Sequence, residues 1–257
     1  MFKKILVICR GNILREGSKT IYCIKSFLHG KRFRVVGAGS LNKNIFSGVD
    51  LVITLGGDGT FLRAASFVKN QLILGINSNP KASEGALTSF NADAVYLVKE
   101  ILGGKFKILI RQRISVWKNG KLLDKPALNE AYIGSRSQFH TSRYKIYFNG
   151  KCEEHRSSGV LISTGTGSTA WYSSAGGRPF HYADKKLKFI VREPFFGKLF
   201  RPIILHGEIN SGQKIKIEST GKLGSIVLDS NASFSFETGD VVEVGISDEP
   251  LRVITNN

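Results

Sequence analysis

Residues 51–65 read LVITLGGDGTFLRAA and set a single carboxylate, Asp58, among Gly56, Gly57 and Gly59. Glycines let a backbone bend where other residues clash, and they let a ligand approach main-chain N–H groups. A helix that starts behind such a loop adds partial positive charge at its N-terminus, which favours phosphate. Thr60 and Phe61 open that helix, and Arg63, one turn in, can reach the same anion. A carboxylate here repels phosphate unless a cation intervenes or the carboxylate takes a proton. Asp58 therefore suits a proton acceptor beside a phosphate or, more plainly, a turn aspartate that caps a helix beginning at Thr60.

Two further stretches offer polar chemistry. LISTGTGSTAWYSSAGG, residues 161–177, runs an apolar strand into a loop of small hydroxyl residues and a short helical stretch. Hydroxyls at this density can donate to phosphate or ribose oxygens; a linker-like turn is the alternative. LNEAYI, residues 128–133, puts Asn129 and Glu130 at the start of an apolar strand. Asparagine donates and accepts, and a carboxylate accepts from two adjacent hydroxyls, which suits a ribose diol or a base edge. Two surface residues would read the same way. GAGSLN at 37–42 begins like a dinucleotide fingerprint but lacks the third glycine and a helix after it. No Gly-Lys-Ser/Thr phosphate loop occurs in a fitting context.

These stretches must be held by a scaffold, and its elements are legible. KKILVICR (3–10) is a short, continuous apolar run that suits a strand buried on both faces, and FRVVG (33–37), LVITL (51–55) and LILGI (72–76) read as further strands. Between them, Ile21, Ile24, Phe27 and Leu28 recur at helical spacing with Gly30 as a stop, and helices are predicted over 60–70 and 92–102. Strands alternating with helices imply a parallel, doubly wound sheet, whose ligands sit beyond the carboxyl ends of the strands. GGDGT lies at such an end. After Gly103-Gly104 the texture turns to strands and tight turns. Asn119-Gly120 and Asn149-Gly150 signal hairpins, and KIKIE (214–218) and VVEVGI (241–246) read as strands. The predicted fold class is α/β. An N-terminal doubly wound α/β domain spans 1–104, and a C-terminal β-rich, mostly antiparallel domain spans 105–257, with the last few residues packing back on the first.

The chain has 257 residues, 42% of them hydrophobic, which excludes a disordered protein. No apolar run is long enough to span a membrane, and MFKKILVICRGN reads as a first strand rather than a signal peptide. Cys9, Cys23 and Cys152 show no metal-type spacing and suit a reduced protein in the cytoplasm. The net charge of +17 attracts polyanions. Zinc-finger spacing, an aromatic RNA-binding signature and a long Lys/Arg block are all lacking, so a nucleic-acid partner is not expected. A solvated basic surface, with some charge aimed at phosphorylated small molecules, accounts for the excess.

GGDGT at 56–60, NE at 129–130, TGSTAW at 166–171 and AGG at 175–177, in this order, resemble the NAD kinase family. RPI at 201–203, Gly239-Asp240 and PLR at 250–252 add to the likeness, which covers nearly the whole chain. The resemblance implies transfer of a phosphoryl group from ATP or polyphosphate, with Mg²⁺, to the 2′-hydroxyl of the adenosine ribose of NAD. NAD and the phosphoryl donor are then the partners, and a homodimer or homotetramer the assembly. Asp58 matches the catalytic aspartate. Gly56, Gly57, Gly59, Thr60, Phe61, Arg63, Asn129, Glu130, Arg156, Ser158 and Thr166 are implied nucleotide-binding positions. So are Thr169, Ala170, Trp171, Tyr172, Ser173, Ser174 and Asn231; no direct protein ligand to the metal is assigned. The chain departs from the usual pattern at Gly165, where most members have proline, and at Ser158, where most have aspartate. It departs again at Asp229-Ser230, where an Asp-Gly pair is usual. SSG at 157–159, TGTGS with Trp171, and NPKASEGAL at 79–87 look like the mitochondrial-type branch. The departures bear on contacts at the nicotinamide end and on NAD against NADH, and leave the phosphoryl-transfer centre intact.

Overall fold

The computed structural model describes residues 2–11, 19–81, 83–137, 139–198 and 200–255. The chain divides into two compact units, residues 1–110 with 251–257, and residues 111–250.

The first unit is built on strands β1 (Lys4–Cys9), β2 (Arg32–Gly37), β3 (Leu51–Gly56), β4 (Leu72–Asn77), β5 (Phe90–Asn91) and β6 (Lys107–Arg111). The final strand of the chain, Leu251–Thr255, enters the same sheet, whose order is β2-β1-β3-β4-final strand-β6, with β5 on β4. All pairs among β1 to β4, and the pairing of the final strand with β4, are parallel. β3 and β4 are buried along their whole length, as continuous apolar runs in a parallel sheet should be. Helices α1 (Lys19–Phe27), α2 (Asp58–Ala65) and α3 (Leu97–Leu102) accompany the sheet. Ile5, Val7, Ile24, Leu28, Leu51, Ile53, Leu74, Ile76, Ile101 and Ile254 form one core cluster. Each such buried side chain is worth about 1.5–3 kcal/mol over exposure.

Two helices are shorter than their sequence pattern. The helix predicted over 60–70 ends at Ala65, where the Ser66 hydroxyl bonds to the Arg63 carbonyl and competes with the ladder. The stretch predicted over 92–102 opens with a 3₁₀ turn, Ala92–Ala94, and becomes helical only at Leu97. The first unit runs past Gly103-Gly104 to Ile110 because β6 joins its sheet.

The second unit has two six-stranded sheets. One has the order β11-β10-β15-β18-β7-β8 and the other β14-β13-β12-β9-β16-β17. The ranges are β7 Ile114–Lys118, β8 Lys121–Leu122, β9 Glu130–Ser135, β10 Ser142–Phe148, β11 Lys151–Ser157 and β12 Gly159–Ser163. They continue with β13 Lys186–Arg192, β14 His206–Asn210, β15 Lys214–Ser219, β16 Gly224–Leu228, β17 Ala232–Phe236 and β18 Val241–Ile246. Strands such as β13 and β15 alternate strictly between buried positions and exposed or half-exposed ones. Their inward residues join Ile133, Tyr144, Ile162, Phe189, Ile217, Ile226 and Val242 in a single core. Both Asn-Gly turns are hairpins with left-handed backbone at each central residue, φ 50° and 77° at Asn119-Gly120 and φ 49° and 74° at Asn149-Gly150. A one-turn helix, α4 (Trp171–Ser174), follows the loop after β12.

Candidate functional site

In the first unit, β3 delivers Gly56 and Gly57 to the tip of the parallel sheet, and α2 begins at Asp58 itself. Gly57 is the residue before the helix, so Asp58 is not a cap. Its carboxylate turns instead to the loop after β4. Oδ1 accepts the Leu87 N–H at 2.8 Å and Oδ2 accepts the Ala86 N–H at 3.1 Å. That loop is shaped by Asn77, buried at the end of β4, whose Nδ2 donates to the Ser83 carbonyl and whose Oδ1 accepts the Asn79 N–H. The amides of Thr60 and Phe61 bond to the Gly57 carbonyl. Gly59 is exposed with open space where a side chain would stand, so the start of α2 is accessible. Arg63 is exposed and donates to the Ala38 carbonyl in the turn formed by the Gly-rich stretch after β2. The Phe61 ring is fully buried against Gly75, so only its main chain faces the loop.

In the second unit, Asn129 and Glu130 lead into β9, which is flanked by β12 and β16. On the β12 side the Asn129 carbonyl accepts the Thr164 N–H at 3.0 Å and the Ser163 hydroxyl at 3.2 Å. The Thr164 hydroxyl donates to the Leu128 carbonyl and accepts the Gly167 N–H. Gly167 sits so close to the Asn129 main chain that any Cβ there would overlap it. On the β16 side, buried Asp229 accepts the N–H groups of Leu128, Asn129 and Glu130. Two acceptors, Asn129 Oδ1 and Glu130 Oε2, are buried with no hydrogen-bond partner. Buried polar atoms are nearly always paired, so such a couple invites donors from a ligand. Burial, and then the neighbouring Asp229, pushes the Glu130 carboxyl up to about 8. Burial also lifts Asp229, to about 6, against the pull of its three N–H donors and Arg113.

The loop after β12 folds as a 3₁₀ turn, Gly167–Thr169, and then α4. Thr166 accepts from Arg111, and Thr169 and Ala170 are exposed. Ser174 donates to the Ala170 carbonyl, and Ser173 is half-buried beside it. The adjacent aromatics part company: Tyr172 is buried edge-on to Phe180, whereas Trp171 is half-exposed. Gly165 has a local reason as well. A side chain there would overlap the His181 carbonyl, so the close return of residues 180–182 demands glycine.

Trp171 and Ser158 line a cavity of about 730 Å³ together with Tyr132, Arg136, Arg192 and Glu193. The Tyr132 and Trp171 rings lie 5.3 Å apart, and the Arg192 guanidinium stands 4.9 Å from the Trp171 ring centre, an attractive cation–π placement. Arg156 lies instead over the Phe200 ring at 5.3 Å. Asn231 ends the left-handed turn of Asp229 and Ser230. Sequence reasoning left out Asn77, the amides of Ala86 and Leu87, the Asp229 carboxylate, and Tyr132, Arg136 and Arg192. A polar residue ending an apolar strand, as at Asn77, was the one signal available.

A parallel sheet that feeds a glycine loop and an aspartate into a helix start, in one chain with a β unit presenting unpaired buried acceptors, has the make-up of a nucleotide phosphotransferase. Residues 25–103 match the ATP-NAD kinase N-terminal domain and residues 128–256 the ATP-NAD kinase C-terminal domain. The chain belongs to the NAD kinase family. It is 31% identical to a probable NADH kinase of Oryza sativa subsp. japonica, over 93% of this chain and 82% of that one. It is 33% identical to an NAD kinase of Methanosarcina acetivorans, over 80% of this chain and 74% of that one. Its fold is similar to an NAD kinase from Archaeoglobus fulgidus in complex with ATP, with a TM-score of 0.78 at 21% identity, covering 99% and 94% of the two chains. The yeast NADH kinase complexed with NADH gives 0.79 at 18% identity, covering 99% and 84%.

Proposed function

We infer that this member of the family is a phosphotransferase that converts NAD to NADP, with Asp58 as the residue that meets the acceptor hydroxyl. Family membership across both domains supports the reaction. The assignment of Asp58 rests on its place: the first residue of a helix, after a glycine pair at the tip of a parallel sheet, half-exposed, with each carboxylate oxygen fixed by one main-chain N–H. A carboxylate oxygen has two lone pairs, so each keeps one for a substrate hydroxyl.

Phosphoryl transfer passes through a loose transition state in which the attacking oxygen needs little charge early. Asp58 orients the ribose 2′-hydroxyl in line and takes its proton late. The accessible start of α2 opposes the negative charge of the donor phosphates. Among the described residues no group of three or more His, Cys, Asp or Glu side chains could hold a metal ion. The family resemblance implies Mg²⁺, which would neutralise charge on the donor phosphates; no residue of this chain is assigned to hold it. Asn129 Oδ1 and Glu130 Oε2 are assigned to ribose hydroxyls or a base amine of the dinucleotide. The Tyr132–Trp171 pair offers a face for a ring, and Arg136 and Arg192 offer charge to phosphate.

Asp58→Asn should retain NAD binding and lose about 10²–10⁴ in turnover. NADP formation is measured with Mg²⁺ and each pairing of NAD or NADH with ATP or polyphosphate. Turnover equal to wild type in the variant would refute the role; no product in any pairing would refute the activity. A cytoplasmic homodimer or homotetramer is the state the family resemblance implies, and light scattering of the purified protein measures the assembly. Among the described residues no helix is long and apolar enough to cross a membrane.

A further inference from the structure

Asp229 is absent from the residues that the motifs assign to ligand contact, yet the Asn129–Glu130 pair hangs on it. It is 5% exposed and follows β16 in a left-handed backbone position, φ 49°. Oδ2 accepts the Leu128 N–H at 2.6 Å, and Oδ1 accepts those of Asn129 and Glu130 at 2.8 and 3.1 Å. The Asp229 N–H in turn donates to the Glu130 carbonyl. Three successive main-chain N–H groups converging on one point make a concavity of the kind that binds anions. Here the anion is a side chain of the protein.

Strand pairing alone does not fix this segment. β9 registers with β12 from Glu130 onward and with β16 from Ala131 onward, so Asn129 precedes both ladders. Thr164 and Ser163 bond to the carbonyls of Leu128 and Asn129 from one side, and the Asp229 carboxylate fixes the N–H groups of residues 128–130 from the other, so together they set the direction in which Asn129 and Glu130 leave the backbone. Those are the residues whose acceptors are buried without partners.

We propose that Asp229 is a positioning residue for the dinucleotide: bound as an internal anion by the N–H groups of Leu128, Asn129 and Glu130, it holds the Asn129–Glu130 pair in the geometry that receives ligand donors. The proposal rests on reading that pair as a dinucleotide contact. Two titratable neighbours bear on Asp229. Arg113 is fully buried, bonds through Nε to the Glu249 carbonyl, lies 3.9 Å from the Glu249 carboxylate, and favours the ionised form. The Glu130 carboxyl is the other titratable group facing it. Protonation removes acceptor capacity, so the clamp is complete above about pH 6 and loosens below it.

Asp229→Asn keeps the size but turns an NH₂ toward one of the three N–H donors. It should weaken NAD binding by about tenfold, measured calorimetrically without donor, while kcat at saturating NAD falls far less. Wild-type affinity should drop as the pH falls through about 6, and the variant should be flat over the same range. Unchanged NAD affinity in the variant, or the same pH profile in both proteins, would overturn the role. A second measurement needs neither variant nor ligand: in the wild-type protein the amide protons of Leu128, Asn129 and Glu130 should shift together as the pH crosses about 6. Amides that do not move while the Asp229 carboxyl carbon itself titrates would overturn the clamp even if NAD binds well. Wild-type protein that binds no NAD would sink the dinucleotide reading and this role with it, whatever the amides do. Should Asp229→Asn not fold, the wild-type affinity profile and the amide titration decide between the same outcomes.

Discussion

Glu130 stands where a charge is hardest to keep. It is 7% exposed, one oxygen has no partner, and Asp229 lies beside it. Its carboxyl is therefore raised from 4.5 to about 8, so with no ligand bound it is mostly protonated and uncharged at neutral pH, and hydrogen-bond donors from a ligand favour its ionised, accepting form. The folded state holds that proton over a range where the unfolded chain has lost it. Stability is thus full below pH 4.5 and declines as the pH climbs toward about 8. Glu130→Gln removes the penalty. It should raise the melting temperature at pH 8, by the equivalent of a few kcal/mol, and change it little at pH 5. Calorimetry at the two pH values checks this, and equal melting temperatures at pH 8 would contradict the burial of the carboxyl. Single residues were legible in the sequence where the signal was local. Asp58 could be placed at a sheet tip because LVITL runs directly into GGDGT. Its bonds to Ala86 and Leu87 could not be read, since those partners lie 28 and 29 residues away, and the Asp229 clamp spans about a hundred. Nor could Trp171 and Tyr172 be told apart: one turn of helix has no periodicity to show which ring faces inward.

At the scale of elements, the strands followed the sequence closely and the helices less so. Continuous apolar runs leave a buried parallel strand no alternative, and an Asn-Gly pair dictates its own turn. The helices of the first unit are one to three turns long, so one hydroxyl at Ser66 or a 3₁₀ turn at Ala92 moves an end by several residues. The loop after β12 depends on close backbone approach more than on propensity. Gly167 touches the Asn129 main chain, and Gly165 touches that of His181. Neither approach is visible without the partner strand. Gly167→Ala must push the loop off Asn129 or shift Asn129 itself. KM for NAD should rise by about tenfold or more, with a smaller change in kcat, because the defect lies in ground-state placement. Steady-state kinetics at saturating ATP tests this, and a change in kcat alone would point to a different site for the dinucleotide.

For the molecule as a whole, the chain leaves its first unit at Ile110 and returns at Leu251. The final strand lies between β4 and β6, with Leu251, Val253 and Ile254 fully buried. Removing residues 251–257 opens a slot inside the sheet and leaves β4 with an unpaired edge. The first unit should then lose its cooperative thermal transition, since the three lost side chains alone are worth about 4–9 kcal/mol. A peptide of residues 251–257 added in trans should restore part of it, and an unaltered transition after truncation would contradict the placement. The basic excess acts at this scale too. A net charge of +17 gives the surface a long-range attraction for nucleotide phosphates.

The position of that last strand also sets an order of events in the cell. During synthesis the N-terminal residues leave the ribosome first, and domains ordinarily fold as they emerge. Here the sheet that carries Asp58 stays open until residues 251–255 are made, after every strand of the second unit has been translated. Until then β4 lacks its neighbour on that side and the core lacks Ile254. A chain stalled or cut short anywhere before the final strand is thereby marked as unfinished at its own N-terminal half.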